Sequence, residues 1–418
     1  MKYRSIMALA LAAALVLPMG AMAEETTNIT LWTYPIGNWG DAATVDTLIA
    51  SFEEAHPEIS VTVEYLDYTN GDDQVNTAIE GGQAPDLVME GPERLVANWG
   101  AKGLMVDLSD LWTDEAKEAI YDSVEAACQN NDGVFYEYPL CMTAHTMAIN
   151  RDLFEAADAL QYIDEETRTW TTEGFQKAVE ALVAYGQENV AAVYCGGQGG
   201  DQGTRALINN LYGGTFTNAE HTEYTADSEE NIKALELLAS MEGINFDASI
   251  VGGDEINLFC NGTLAMAFCW NVSQEVNNQE MLTFDVLPMA FPTESGDPQL
   301  CGGIWGFGIF DNGDQARIDA AKTFIDFMAN DETQVVESVK ASSYWPVKDL
   351  GNIYEGDELK TEYSLFTQYM GDYYQVVGGW AQARTAWWNM LQQIGSGTEV
   401  AAAVEEFVTT ANAAVAAQ

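Results

Sequence analysis

Positive charge is scarce in this chain. Its 418 residues hold 16 Lys and Arg against 65 Asp and Glu, a formal net charge of −49. Nucleic acid requires clustered Lys and Arg to displace its counterions, so it is excluded as a partner. An anionic membrane surface is disfavoured on the same ground. The acidity reads as a solvated, self-repelling surface. Histidine is scarcer still: His56, His145 and His221 are scattered, and neither CxxC nor HExxH occurs, so no motif calls for a metal. The six cysteines (Cys128, Cys141, Cys195, Cys260, Cys269 and Cys301) are too few for a disulfide framework at this length. Cys128 and Cys141 flank a segment that reads as a hairpin and are the pair best placed to bridge; most of the others sit in apolar runs as buried thiols. No cofactor motif is present either. The glycine-rich AAVYCGGQGGDQG lacks the lysine of a phosphate loop and the spacing of a dinucleotide fingerprint.

Long apolar runs are also missing beyond the N-terminus, where nothing approaches the roughly 18 residues of a spanning helix. The N-terminus itself, MKYRSIMALALAAALVLPMGAMA, has Lys2 and Arg4, then an apolar run, then the small-x-small Ala21-Met22-Ala23. That is the pattern of a secretory signal peptide. Cleavage after Ala23 leaves 395 residues with a charge of −51, working in the periplasm or at the cell surface, with no cysteine at the cut to take a lipid. With 47% apolar and 19% charged residues, the remainder can fill the cores of two domains.

What is abundant is indole and phenol: 11 Trp and 18 Tyr. The first hundred mature residues alternate strand and helix. Ile29 to Tyr34 is a strand. Asp41 caps a helix with Val45, Leu48, Ile49 and Phe52 on one face, ended by Pro57. Ile59, Val61, Val63 and Tyr65 alternate at strand period. A helix from Asp72 to Glu80 leads to a strand at Asp86 to Met89, and Pro92 suits the first turn of the next helix. Such alternation means an α/β fold with parallel pairing, in which ligands bind beyond the carboxyl ends of the strands. Tyr34 and Trp39 fall there, as do Glu90, Gly91, Glu93 and Arg94. Trp32, still within the strand, is as well explained by the core. Further on, GVFYEYPLCMTAHTMAIN reads as two strands interrupted at Thr143 to Thr146. TWTTEGFQKAVEALVAYG is a capped helix. FCNGTLAMAFCWN and CGGIWGFGIF are buried strands, Ala321, Phe324, Ile325 and Met328 mark an amphipathic helix, and Glu399 to Ala416 is a helical tail.

In order along the chain, several pieces resemble the extracellular solute-binding proteins of ABC importers, in the branch that includes maltodextrin-binding proteins. They are ITLWTY, FEEAHPEISVTVEY, GGQAPDLVM, the YPLCMTAHTMAINRDLF block, the TW…F helix start at Trp170, NLFCNGTLAMAFCW, GGIWGFGIF followed by AAKTFIDFM, and WPV. The resemblance spans nearly the whole mature chain. It implies a type II periplasmic-binding-protein fold: two α/β lobes, each a mostly parallel sheet flanked by helices, joined by a hinge. Lobe 1 would comprise 24–145 with 303–352, and lobe 2 146–302 with 353–418.

The same resemblance implies a monomer that captures a carbohydrate between its lobes and delivers it to a membrane permease, without catalysis and without a cofactor or membrane insertion of its own. The implied ligand residues are Tyr34, Trp39, Glu90, Glu93, Arg94, Thr143, His145, Trp270, Trp305, Trp345 and Trp380. Arg94 and Glu93 would donate to and accept from sugar hydroxyls. Trp270 and Trp380 would stack on rings, with Trp305 and Trp345 added from the first lobe. His145 either reaches the cleft or packs at the hinge. Thr143 stands where maltodextrin binders place a carboxylate, a departure from their pattern. Aromatic rings suit the apolar face of a sugar, each burying on the order of 150–250 Å². Two other readings stay open: a binder of polyamines or other cations, held by carboxylates and rings, and a secreted glycoside hydrolase with two opposed carboxylates.

Overall fold

The structure, a computed structural model, describes residues 26–68, 70–193, 195–196, 201–247, 249–250 and 253–417. The expected signal peptide lies outside the described residues, as do residues 197–200 of the glycine-rich loop.

The N-terminal third folds as its pattern demands. Strands β1 (Thr27–Thr33), β2 (Ile59–Tyr65) and β3 (Leu87–Glu90) come in order, and β1 pairs parallel with both of the others. The helix Ala42–Ala55 starts on Asp41, whose carboxylate accepts from the Thr44 N–H, and buries Val45, Leu48, Ile49 and Phe52. It stops at His56 because Pro57 cannot continue the hydrogen-bond ladder. In β2 the alternation is real but only Ile59 is buried; Val61 and Val63 are half-buried and Tyr65 is exposed, because β2 is the edge strand.

Strand β4 (Tyr138–Ala144) is separated from β5 (Thr146–Asn150) by His145 alone. The remaining strands are β6 (Ala191–Ala192), β7 (Ile244–Asn245), β8 (Met266–Trp270), β9 (Val286–Met289), β10 (Gly302–Ile309) and β11 (Trp345–Pro346). Six strands form one sheet in the order β11-β4-β10-β3-β1-β2, and three form a second, β8-β5-β9. β10 runs antiparallel to both β3 and β4, β11 antiparallel to β4, and both pairs of the second sheet are antiparallel. The first sheet is therefore mixed and the second wholly antiparallel, where mostly parallel pairing was expected. Connectivity explains it: a strand returning from one sheet to the other runs against the strand by which the chain left.

Two crossings between the sheets lie side by side. Gly302 pairs with Ala144 and Gly303 with Thr143, and the His145 N–H donates to the Cys301 carbonyl at 3.0 Å. Gly302 is glycine for a reason, since a Cβ there would run into the Thr143 carbonyl.

Other elements refine the sequence reading. The helix Thr172–Tyr185 is capped by Thr171 and closed by Gly186 in the left-handed region. The helix Gln315–Asn330 buries Ala321, Phe324, Ile325 and Met328, and the tail forms the helix Val400–Ala416. FCNGTLAMAFCWN is only half strand: Cys260 ends the helix Asp254–Cys260, Gly262 turns at φ 79°, and β8 begins at Met266. The hairpin after Cys128 exists, bridging Gln129 to Phe135, but its register sets Tyr136 against Cys128. Cys141 lies five residues farther along in β4, and all six cysteines are buried free thiols, so the expected Cys128–Cys141 bridge is not formed.

Candidate functional site

The best-developed polar constellation lies at the carboxyl ends of β1 and β3. Glu90 ends β3, Gly91 follows, and Pro92 opens a helical turn, Pro92–Arg94, that brings Arg94 back over Glu90. Gly91 has to lack a side chain: a Cβ would sit 2.7 Å from both the Ile304 carbonyl of β10 and the Glu93 carboxylate. The Arg94 guanidinium meets Asp72 at 2.7 Å, Glu90 at 2.8 Å and Glu93 at 3.5 Å. It also lies 5.0 Å from the centre of the Tyr34 ring and 5.7 Å from that of Tyr68. Tyr34 and Tyr68 are themselves stacked, 5.4 Å apart, and the Tyr34 hydroxyl donates to Asp72. Asp72 reaches them from the first turn of the helix Gly71–Glu80, where a Cβ on Gly71 would strike the Tyr34 ring.

Electrostatics follow the burial. Desolvation resists ionisation of Asp72, but Arg94 and the Tyr34 hydroxyl outweigh it and lower its pKa. Glu90 is fully enclosed, and burial raises it to about 8 in spite of Arg94. Tyr68 keeps 38% of its surface accessible, yet its hydroxyl is pushed well above the ordinary range, chiefly by burial and then by Glu90.

Two contacts tie this acidic wall to the segment that follows β11 and to the second sheet. The Tyr373 hydroxyl donates to Glu93 at 2.8 Å, and the next residue, Tyr374, packs on Phe216 beside the helix Trp380–Gly395. Ser273, just after β8, donates to the Tyr344 hydroxyl at 3.3 Å. Tyr344 is stacked flat on Trp305, centroids 4.8 Å apart and planes 16° apart, and it is among the groups acting on Tyr68. A flat aromatic pair thus borders the acidic wall.

Of the residues expected at the site, Tyr34, Glu90, Glu93, Arg94 and Trp305 are brought together here. Thr143 and His145 sit in the crossing, buried, with Thr143 turned to the Ala144 carbonyl. Trp39 is elsewhere: fully buried, it donates to the Ser338 carbonyl and meets Phe307 edge-on. Trp270 is fully buried too, bonded to the Tyr363 hydroxyl at 2.7 Å and packed on Phe259. Trp380 lies under the Arg205 guanidinium at 4.7 Å, beside Phe216. Trp345 turns edge-on to Tyr354, while its neighbour Tyr344 faces the site. Sequence reading missed Tyr68, Asp72, Tyr344 and Tyr373. Only Tyr344 carried a signal, in SSYWPV, where strand alternation turns consecutive side chains to opposite faces.

A separate cavity of about 660 Å³ is lined by Asn210, Phe216, Thr217, Gln299, Cys301 and Tyr374, among others. No expected site residue lines it; Glu294, Asp297 and Asp372 do, with no Arg or Lys among its lining residues. Among the described residues no group of three or more His, Cys, Asp or Glu is placed to hold a metal, and no helix is long and apolar enough to cross a membrane.

Two sheets joined by paired crossing strands, with a polar and aromatic wall where they meet, define a two-lobed binding protein. The chain belongs to the bacterial extracellular solute-binding protein family, whose model matches residues 37–335. Its two-lobed fold is shared with many solved structures. The ABC substrate-binding protein Lmo0181 from Listeria monocytogenes, in complex with cycloalternan, superposes with TM-score 0.70 at 19% identity, covering 93% of this chain and 98% of that one. A cyclic alpha-maltosyl-1,6-maltose binding protein from Arthrobacter globiformis gives 0.75 at 17% identity, over 94% and 100%. UgpB from Mycobacterium tuberculosis, in complex with glycerophosphocholine, gives 0.72 at 19%, over 94% and 100%. No curated protein matches the chain by sequence.

Proposed function

We propose that the chain is an exported, monomeric carrier that captures a carbohydrate between its lobes and presents it to an ABC importer's permease. The observation that carries this reading is the meeting of the Arg94 cluster with the Trp305–Tyr344 stack, touched from the other side by Tyr373 and Ser273. Flat rings cover the C–H face of a sugar, while carboxylates and hydroxyls satisfy its rim. An analogue lacking one hydroxyl would leave a buried polar group unpaired, at a cost of about 1–3 kcal/mol. The cycloalternan held by one structural neighbour, and the cyclic alpha-maltosyl-1,6-maltose that another is named for binding, support the substrate class.

The lobes would comprise 24–145 with 303–352 and 146–302 with 353–418, so the chain passes between them three times, at 145/146, 302/303 and 352/353, and the hinge includes His145 and Cys301. Ligand closes the cleft because it contacts both lobes only in the shut form, so it shifts the equilibrium by that differential affinity. Micromolar affinity corresponds to about 8 kcal/mol, within reach of a few stacked rings and charged hydrogen bonds. The leader is cut near Ala23 and the ligand leaves chemically unchanged. Thermal-shift screening of the mature chain against a glycan panel tests the reading, followed by chromatography of the best ligand. Saturable stabilisation with intact ligand supports it; hydrolysis products would indicate the hydrolase instead.

A further inference from the structure

Beneath the Arg94 cluster lies a fourth carboxylate. Glu137 immediately precedes β4 and is fully buried, and among the described residues neither of its carboxylate oxygens has a hydrogen-bond partner. Strand alternation directs it away from Tyr138, whose hydroxyl reaches Asn330 on the helix Gln315–Asn330, and toward Glu93 and Glu90. Burial, then those two charges, push its carboxyl well above the usual range. A buried carboxyl without a partner is costly to keep, and it is not needed to balance Arg94, which three other carboxylates already engage.

Among the described residues the wall therefore holds Asp72, Glu90, Glu93 and Glu137 beside two cations, with burial keeping Glu90 and Glu137 toward their neutral forms. Arg94 is one. Arg384, half-buried on the helix Trp380–Gly395 and 5.7 Å from the Trp388 ring, is the other, near enough to favour the Asp72 carboxylate. A neutral sugar asks for donors and acceptors in balance. This wall offers acceptors in excess, with the Tyr34 and Tyr68 rings, already facing one cation, beside them.

Building on the proposed function, we infer that the solute carries a protonated nitrogen, as in an amino sugar or an aminated polyol, seated against Glu90 and Glu93 with Glu137 behind them. The nitrogen supplies a positive charge opposite which the enclosed Glu90 and Glu137 can ionise.

The test uses the mature protein and matched pairs: glucose with glucosamine, and chitobiose with its fully deacetylated form, plus spermidine. Thermal shift and calorimetry are read at low and high salt. The aminated partner of a pair should bind at least about tenfold more tightly, which is about 1.4 kcal/mol, and the advantage should shrink as salt screens it. Glu137→Gln, of the same size but uncharged, should narrow the advantage while leaving the fold intact. Neutral members binding as well as aminated ones would overturn the inference and leave the carbohydrate reading standing, and so would an unchanged preference in Glu137→Gln as regards Glu137. Stabilisation by spermidine with no sugar effective keeps the charge requirement and overturns the carbohydrate reading. No response to any aminated probe overturns the inference.

Discussion

Arg94 is the residue on which the acidic wall at the ends of β1 and β3 is organised. Its guanidinium is nearly closed off from water and held by Asp72, Glu90 and Glu93. Removing it leaves buried carboxylates uncompensated, so Arg94→Ala should lower the free energy of unfolding by about 3–5 kcal/mol. Chemical denaturation measures this, and a midpoint equal to wild type contradicts it. Arg94→Lys should rescue only in part, since an ammonium cannot span three carboxylates as a planar fork does. A different buried acid gives a pH signature. Glu255 is fully enclosed, with its carboxylate accepting the Phe268 N–H, and burial raises it from 4.5 to about 7. The fold keeps this proton where the unfolded chain has lost it. Its contribution is therefore full below 4.5 and disappears as pH rises through about 7. Across that window Tm should fall less steeply in Glu255→Gln than in wild type; equal slopes would contradict the assignment. At this scale the sequence was only partly legible. Tyr34, Glu90, Glu93 and Arg94 were readable because they end parallel strands. Trp39, Trp270 and Trp380 were not, because a ring that fills a core and a ring that lines a cleft look alike until neighbours such as Phe307, Phe259 and Phe216 are placed around them.

Elements were more legible than residues where local chemistry marks their ends. Asp41 and Thr171 cap their helices as side chains of their kind do, and Gly186 closes one in the left-handed region. Illegible were β7 and β11, two residues each, which exist only because another strand lies alongside. The antiparallel return of β10 was equally hidden, since pairing direction depends on where the chain re-enters the sheet. The crossing is the element most open to test. Because a Cβ at Gly302 would meet the Thr143 carbonyl, Gly302→Ala should force the two crossing strands apart. A loss of about 1–3 kcal/mol in denaturant titration is expected, as for other overpacked sites. A variant as stable as wild type would show that the crossings are not packed as described.

For the whole molecule, the question is how two sheets joined by a pair of strands hold a solute. The Tyr373–Glu93 bond ties a segment packed beside the second lobe to the first, and a hydrogen bond to a charged group contributes about 1.5–3 kcal/mol. Tyr373→Phe should therefore weaken ligand binding about tenfold or more, read by calorimetry, while the free protein keeps its Tm. Unchanged affinity would place the closure contact elsewhere. The most direct measurement is a crystal structure of the mature protein with whichever sugar stabilises it most in the thermal screen. That sugar should lie against the Trp305–Tyr344 stack, with polar contacts to Glu93, Asp72 or Tyr373. A sugar seated instead in the cavity lined by Asn210, Phe216 and Thr217, with the Arg94 cluster untouched, would contradict it.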